Sequence, residues 1–268
     1  MTSLQIVLAV LSGGLVGFSL GLLGGGGSIL AVPLLLYVVG IRDPHVVIGS
    51  TALAVAVNAL INLIPHARQK HVMWKPAIFF AIPGAVGAYL GSDVGKLVPD
   101  KQILFLFAIL MIVMAVRMSW PKKTASAAQV AASADASAAK PRARVWRVVV
   151  VGLIVGAVSG FFGIGGGFLI VPGLMFATAM PMIEAIGSSL LSVGTFGLTT
   201  AVNYSLSGLV NWWVVVEYVL GGIVGGVFGT LLATRLSRHR KALQYIFSGV
   251  VFVVAIYMLV LNAQALHL

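Results

Sequence analysis

The chain contains no cysteine, and only 6 of its 268 residues are acidic. Without cysteine it has no disulfide, no thiolate nucleophile and no thiolate metal site. Charged residues of both signs amount to 9%, against 60% hydrophobic and a mean hydropathy of +1.08. A soluble domain of this size could not clothe itself with so little polarity, so the chain reads as an integral membrane protein. Strict two-residue alternation is also missing, and the apolar runs continue over roughly 15 to 20 residues, which excludes a barrel in favour of helices. The first residues, Met1 to Gln5, carry no Lys or Arg, and no small-x-small site ends the first apolar run. That run is expected to stay as a span rather than be cleaved as a signal peptide.

Ten apolar segments follow one another, at roughly 4–23, 28–41, 46–65, 76–96 and 102–119, then 146–162, 167–180, 184–206, 212–234 and 242–262. The second and seventh are short for a crossing. Between the two sets the composition turns to Ala, Ser, Lys and Arg, the mark of a tether with no apolar face to bury. The domain reading is a first membrane repeat over 1–119, a basic linker over 120–145 and a second membrane repeat over 146–268.

The two halves repeat each other. Residues 21–33 read GLLGGGGSILAVP and residues 160–172 read GFFGIGGGFLIVP, identical at seven of thirteen positions. Further on, Ile48-Gly-Ser-Thr-Ala-Leu53 falls on Ile186-Gly-Ser-Ser-Leu-Leu191, Val72 and Trp74 on Val210 and Trp212, and Gly84, Gly87 and Gly91 on Gly222, Gly225 and Gly229. A unit of five crossings used twice forces the second copy into the membrane upside down. The predicted fold class is therefore an all-α membrane protein of two inverted-topology repeats, five apolar segments each. Charge placement agrees: with the N-terminus outside, fourteen of the 17 Lys and Arg fall on inner loops, and only Arg42, Lys96 and Lys101 fall outside. The net charge of +11 then reflects orientation and an anionic leaflet, and calls for no nucleic-acid partner.

Glycine does two jobs. Gly13, Gly17 and Gly21, with Gly152, Gly156 and Gly160, recur every four residues and read as close-packing stripes. The clusters Gly24, Gly25, Gly26, Gly27 and Gly163, Gly165, Gly166, Gly167 are different. Each glycine costs a continuous helix roughly 1 kcal/mol relative to alanine, so the clusters should unwind it. An unwound stretch is tolerated in a membrane only inside protein or along a wet cavity. It bares the N-H groups and positive dipole end of the helix that follows, joined in one copy by the Ser28 hydroxyl. Two such starts at matching places form an expected anion site. Neither cluster is a nucleotide loop, because the Lys-Ser/Thr of a P-loop and the third glycine of a dinucleotide fingerprint are both missing.

Other polar residues in the spans are few. Ser50 and Thr51 match Ser188 and Ser189; Asn58, Asn62 and His66 share one helical face, and Asn203 lies in the second half. All are candidates to line the substrate path, although hydroxyls bonding their own helix and amides tying helices together remain the alternative. Glu217 is the one acidic side chain well inside a predicted span and a candidate for coupling. The five histidines show no metal-ligand spacing, so no metal and no cofactor is expected.

The paired glycine motifs ending in Pro33 and Pro172, the Ile-Gly-Ser-Ser/Thr segment after each, and the Gly-x-x-x-Gly helix before a basic loop resemble the sulfite exporter TauE/SafE family of bacterial permeases. The resemblance covers both halves, everything but the tether. It implies a transporter of sulfur oxyanions such as sulfite, sulfoacetate or other organosulfonates, in the bacterial inner membrane. The family's motif positions fall on Gly24, Gly26, Gly27 and Pro33, and on Gly163, Gly165, Gly166, Gly167 and Pro172. The chain departs at Gly25, opposite Ile164, and at Ser28, opposite Gly167, making the half-sites unequal. The expected activity is secondary transport of a small anion by alternating access, with both termini outside and the linker cytoplasmic. A passive anion channel and a non-transporting assembly partner are the alternatives. A membrane-embedded enzyme lacks a nucleophile, a carboxylate dyad or a metal here.

Overall fold

The computed structural model describes residues 3–119, 141–235 and 240–265. Residues 120–140 of the predicted tether, with Trp120, and Arg238 and His239 of the last basic loop lie outside the described residues, while the tether's last five residues, 141–145, are already helical and open the second half's first helix. Ten helical segments account for the rest: α1 (Ser3–Leu23), a composite α2, α3 (Pro44–Arg68), α4 (Trp74–Leu97), α5 (Asp100–Ser119), α6 (Pro141–Phe162), α7 (Gly167–Thr178), α8 (Met182–Leu206), α9 (Trp212–Arg235) and α10 (Arg240–Ala265). α2 begins as a three-ten helix over Gly24–Leu30, passes through Ala31–Pro33 and widens into a π turn over Leu34–Val38. Pro33 carries no N-H to give the preceding turn, and the wider turn that follows closes with Val39 N donating to Leu34 O. Among the described residues six helices are long and apolar enough to cross a membrane, and α2 and α7 are among the shorter apolar ones. The chain is a multi-pass helical membrane protein.

Local chemistry sets the helix ends. Asp43 caps α3, its Oδ1 accepting from the His45 and Val46 amides at 2.9 and 3.1 Å, with Pro44 in the first helical position. At the other end of the unit, Val98 N donates to Gly95 O to close α4.

Glycine stripes decide which helices pair. α1 packs along α9 and α4 along α6. A Cβ on Gly13 or Gly17 would collide with the backbone of Tyr218 or Gly222, and one on Gly152 or Gly156 with that of Phe80 or Gly84. Such backbone-to-backbone contact needs a residue without a side chain. Each of two bundles thereby holds helices from both halves: α1 and α3 with α9, and α6, α7 and α8 with α4. The bundles meet where α3 packs on α8, while α5 and α10 pack on each other. Ser248 ties that last pair, donating to Ala115 O at 2.6 Å.

α3 and α8 are the most enclosed of the six long apolar helices among the described residues. The outward face of α9 instead carries Val216, Leu220, Val224, Val227 and Leu231, all exposed and spaced three or four apart. That is the stripe a lipid-facing helix presents.

Contacts recur when the halves are exchanged. The Ser50 hydroxyl accepts from the Asn211 amide at 2.9 Å, and the Ser188 hydroxyl accepts from the Met73 amide at 2.9 Å. Gly49 abuts Leu209 O as Gly187 abuts His71 O, and Gly222 abuts Asn58 as Gly84 abuts Phe196.

Candidate functional site between two broken helices

The two glycine clusters come together at the centre, where α7 packs on the Gly24–Leu30 turn. They are built differently. The first cluster tightens into three-ten geometry instead of unwinding, and Gly27 sits so close to the end of α1 that a Cβ there would lie 2.5 Å from Leu20 N and Ser19 Cβ. The second is a true break: Gly163, Gly165 and Gly166 all take left-handed φ, at 64°, 65° and 63°. L-residues with side chains visit that region at a cost, so this turn depends on glycine. Ile164, the one residue of that cluster with a side chain, keeps to negative φ.

Around the second break, Gly163 N donates to Gly160 O at 3.2 Å, and Leu169 and Ile170 both donate to Gly166 O, at 2.9 and 3.0 Å. Among the described residues, no backbone carbonyl accepts from the Ile164, Gly165 or Gly166 N-H. The break lies against the middle of the two central helices, with Val193 of α8 and Val55 of α3 at 3.2 and 3.3 Å from the point a Gly165 Cβ would occupy. Ile48 closes over Gly163, and Ser159 lies under Gly166. None of these four neighbours carries a charge. The start of α7 carries the positive end of its helix dipole, which favours a negative solute.

The remaining sequence-predicted residues fall into three groups. Ser50, Ser188, Thr51 and Ser189 are buried and bonded within the protein: the first two accept loop amides of the opposite half, and Thr51 and Ser189 donate to Val47 O and Ile186 O at 2.8 and 2.7 Å. Asn203 is drawn into a network at one end of α4 and α8. Its Nδ2 donates to Ser92 Oγ at 2.5 Å and Asp93 Oδ1 at 2.9 Å, and its Oδ1 accepts from Lys96 Nζ at 2.8 Å. Lys96 also pairs with Asp93 at 3.1 Å and donates to Ser207 at 3.1 Å. Asp93 and Lys96 stand three residues apart on one helix, so their pairing is local; the tie to a helix 107 residues later carries no sequence signal.

Asn58, Asn62 and His66 form the third group, along α3. Asn62 Nδ2 donates to Asn58 O at 2.9 Å, and the His66 ring lies 6.1 Å from that of His71. Ser28, in the first cluster, is fully buried. Pro172 sits inside α7 and Pro33 inside α2. Glu217 lies in the second turn of α9, with Oε2 buried and without a hydrogen-bond partner. Sequence reasoning missed Ser159, Ser192 and the hydroxyls of Tyr204 and Tyr218, all buried without a partner. Among the described residues no group of three or more His, Asp or Glu is placed to hold a metal ion.

Six long apolar helices among the described residues, with a left-handed glycine break packed between the two central ones, define a class: a polytopic helical membrane protein of the transporter type. The model of the sulfite exporter TauE/SafE family matches residues 9–258, and the chain belongs to that family. It is similar to a protein described as "probable membrane transporter protein" from Xylella fastidiosa strain Temecula1, 51% identical over 267 residues and 97% of each chain. A protein of the same description from Haemophilus influenzae is 30% identical over 226 residues, covering 81% of this chain and 80% of its own. YunE of Bacillus subtilis, again so described, is 25% identical over 276 residues, covering 98% and 97%. No solved structure matches the chain.

Proposed function

We propose that this protein is a secondary transporter that moves a small anion, of the class of sulfite, sulfoacetate and other organosulfonates, by alternating access. The observation that carries the reading is the left-handed break before α7, whose N-H groups have no backbone acceptor among the described residues, while α7 itself packs on the first glycine cluster. The family name supports sulfite as the first anion to try. A site without Lys or Arg holds its anion loosely enough to release it.

The recurrence of contacts on exchanging the halves supports two repeats related by a two-fold axis, and the odd count of five segments supports their inversion. The excess of Lys and Arg on alternate loops supports a bacterial inner-membrane location with both termini outside and the linker cytoplasmic. No nucleotide motif supplies ATP, so the reading is of a carrier driven by gradients.

The test is flux into vesicles reconstituted with the pure protein, comparing sulfite, sulfate, sulfoacetate, taurine and chloride. Sulfite or an organosulfonate is expected to enter faster than into protein-free vesicles and to accumulate against its gradient when a driving gradient is imposed. Flux that only runs downhill would make the protein a channel, and none with any anion would leave the reading without support.

A further inference from the structure

The two halves of the molecule differ at one buried place that their symmetry equates. Where Gly84 of α4 receives Phe196 of α8, Gly222 of α9 receives Asn58 of α3. On the second-half side the seam is apolar, with Phe196 stacked on Phe80 at 6.1 Å between ring centroids. On the first-half side it is polar. Asn58 is 0% exposed, and neither its Nδ2 nor its Oδ1 has a hydrogen-bond partner. Tyr218, one turn before Gly222 on α9 and the counterpart of Phe80, is also 0% exposed with its hydroxyl unpaired. A buried amide with nothing to bond is costly, and the related seam shows that a phenyl group fits such a place. Glycine at 222 is nonetheless required to let the amide in, because a Cβ there would strike Asn58.

Asn58 also lies one turn along α3 from Val55, the residue that touches the second glycine break. We infer that the anion site is one-sided: Asn58 is its specificity-determining residue, offering an N-H donor and a carbonyl acceptor to an oxyanion that carries a proton on one oxygen. The inference rests on the anion-site reading above and adds to it. The peptide N-H groups of the break recognise negative charge, which chloride also has. An amide that both donates and accepts is satisfied by a partner that both accepts and donates, as hydrogen sulfite does and chloride or methanesulfonate cannot.

The experiment measures binding of sulfite, methanesulfonate and chloride to the purified full-length protein, with its thermal unfolding midpoint, for wild type, Asn58→Leu, Asn58→Ala and Asn58→Ser. Asn58→Leu is expected to weaken sulfite binding about tenfold or more, to leave chloride binding within about twofold, and to keep or raise the unfolding midpoint. A purely structural asparagine would give the reverse, a lowered midpoint with sulfite preference intact. Should Asn58→Leu fail to fold, the other pair decides, since Ala and Ser leave nearly the same void and differ by one hydroxyl. Preference for sulfite is expected to survive in Asn58→Ser and vanish in Asn58→Ala. Equal preference in those two variants and wild type would overturn the assignment. Loss of all anion binding in Gly166→Leu beside unchanged selectivity in the Asn58 variants would sink this inference while leaving the anion site standing. Wild type that binds none of the three anions would remove both.

Discussion

Ser50 and Ser188 show how a side chain's chemistry is decided by what stands opposite. Both hydroxyls sit in a segment that repeats between the halves, and both accept a loop amide from the other half at 2.9 Å. Removing either oxygen leaves a part-buried N-H unsatisfied, a loss of about 1–3 kcal/mol. Ser188→Ala is therefore expected to lower the unfolding midpoint of the purified protein while its affinity for sulfite stays within about twofold. A large fall in affinity with an unchanged midpoint would put Ser188 in the substrate path after all. Gly166 is the opposite case, where backbone rather than side chain matters. Its left-handed φ and the Ser159 side chain beneath it exclude a Cβ. Gly166→Leu is expected to abolish anion flux in vesicles, and flux equal to wild type would remove the break from the site.

At the scale of the element, the same residue type has opposite consequences according to its neighbours. Gly156 lies on the contact between α6 and α4, where a Cβ would collide with the backbone of Gly84. Gly14 is on the same kind of stripe, yet its Cβ would lie 3.5 Å from Gly221 O, an ordinary contact, and Gly249 of α10 meets nothing within 4 Å. Gly156→Val is expected to cost at least about 1–3 kcal/mol through overpacking, because backbone cannot step aside as a side chain can. Gly249→Ala should instead stabilise by up to about 1 kcal/mol, since alanine is the better helix former. Thermal unfolding in detergent checks both, and a destabilised Gly249→Ala would mean that something unseen packs there.

For the whole molecule, the exchange of α4 and α9 between halves determines which bodies can move. A carrier built this way would not rock one sequence half against the other, because α1 is locked to α9 and α4 to α6 by collisions that forbid sliding. The seam left between the bundles is α3 against α8, with α7 against the first glycine cluster. The absence of cysteine makes this testable without background. Ala56→Cys with Gly197→Cys spans the seam, where Ala56 Cβ lies 2.9 Å from the Gly197 Cβ position and the helices must part by about 1 Å to reach disulfide geometry; Val155→Cys with Gly173→Cys lies within one bundle, where Val155 Cγ2 lies 3.3 Å from the Gly173 Cβ position. Oxidation of the first pair is expected to stop flux and reduction to restore it, while the second pair should be indifferent. Flux unaffected by the first disulfide would show that the bundles do not separate there.

Much of this was open to a reader of the sequence because its cause is local. Ten apolar runs, the loop charges and the glycine clusters follow from what lipid, water and a helix each tolerate, and these act on any stretch of chain wherever it ends up. The three-residue spacing that pairs Asp93 with Lys96 belongs to the same kind. Tertiary structure alone decided that the halves trade their fourth helices and that Asn203 is spent on Lys96 and Asp93. It also decided that the first glycine cluster tightens while the second turns left-handed, and that Asn58 has no partner where its counterpart is a stacked ring. Those outcomes depend on which surfaces meet across more than a hundred residues, and no spacing or composition along the chain carries that information.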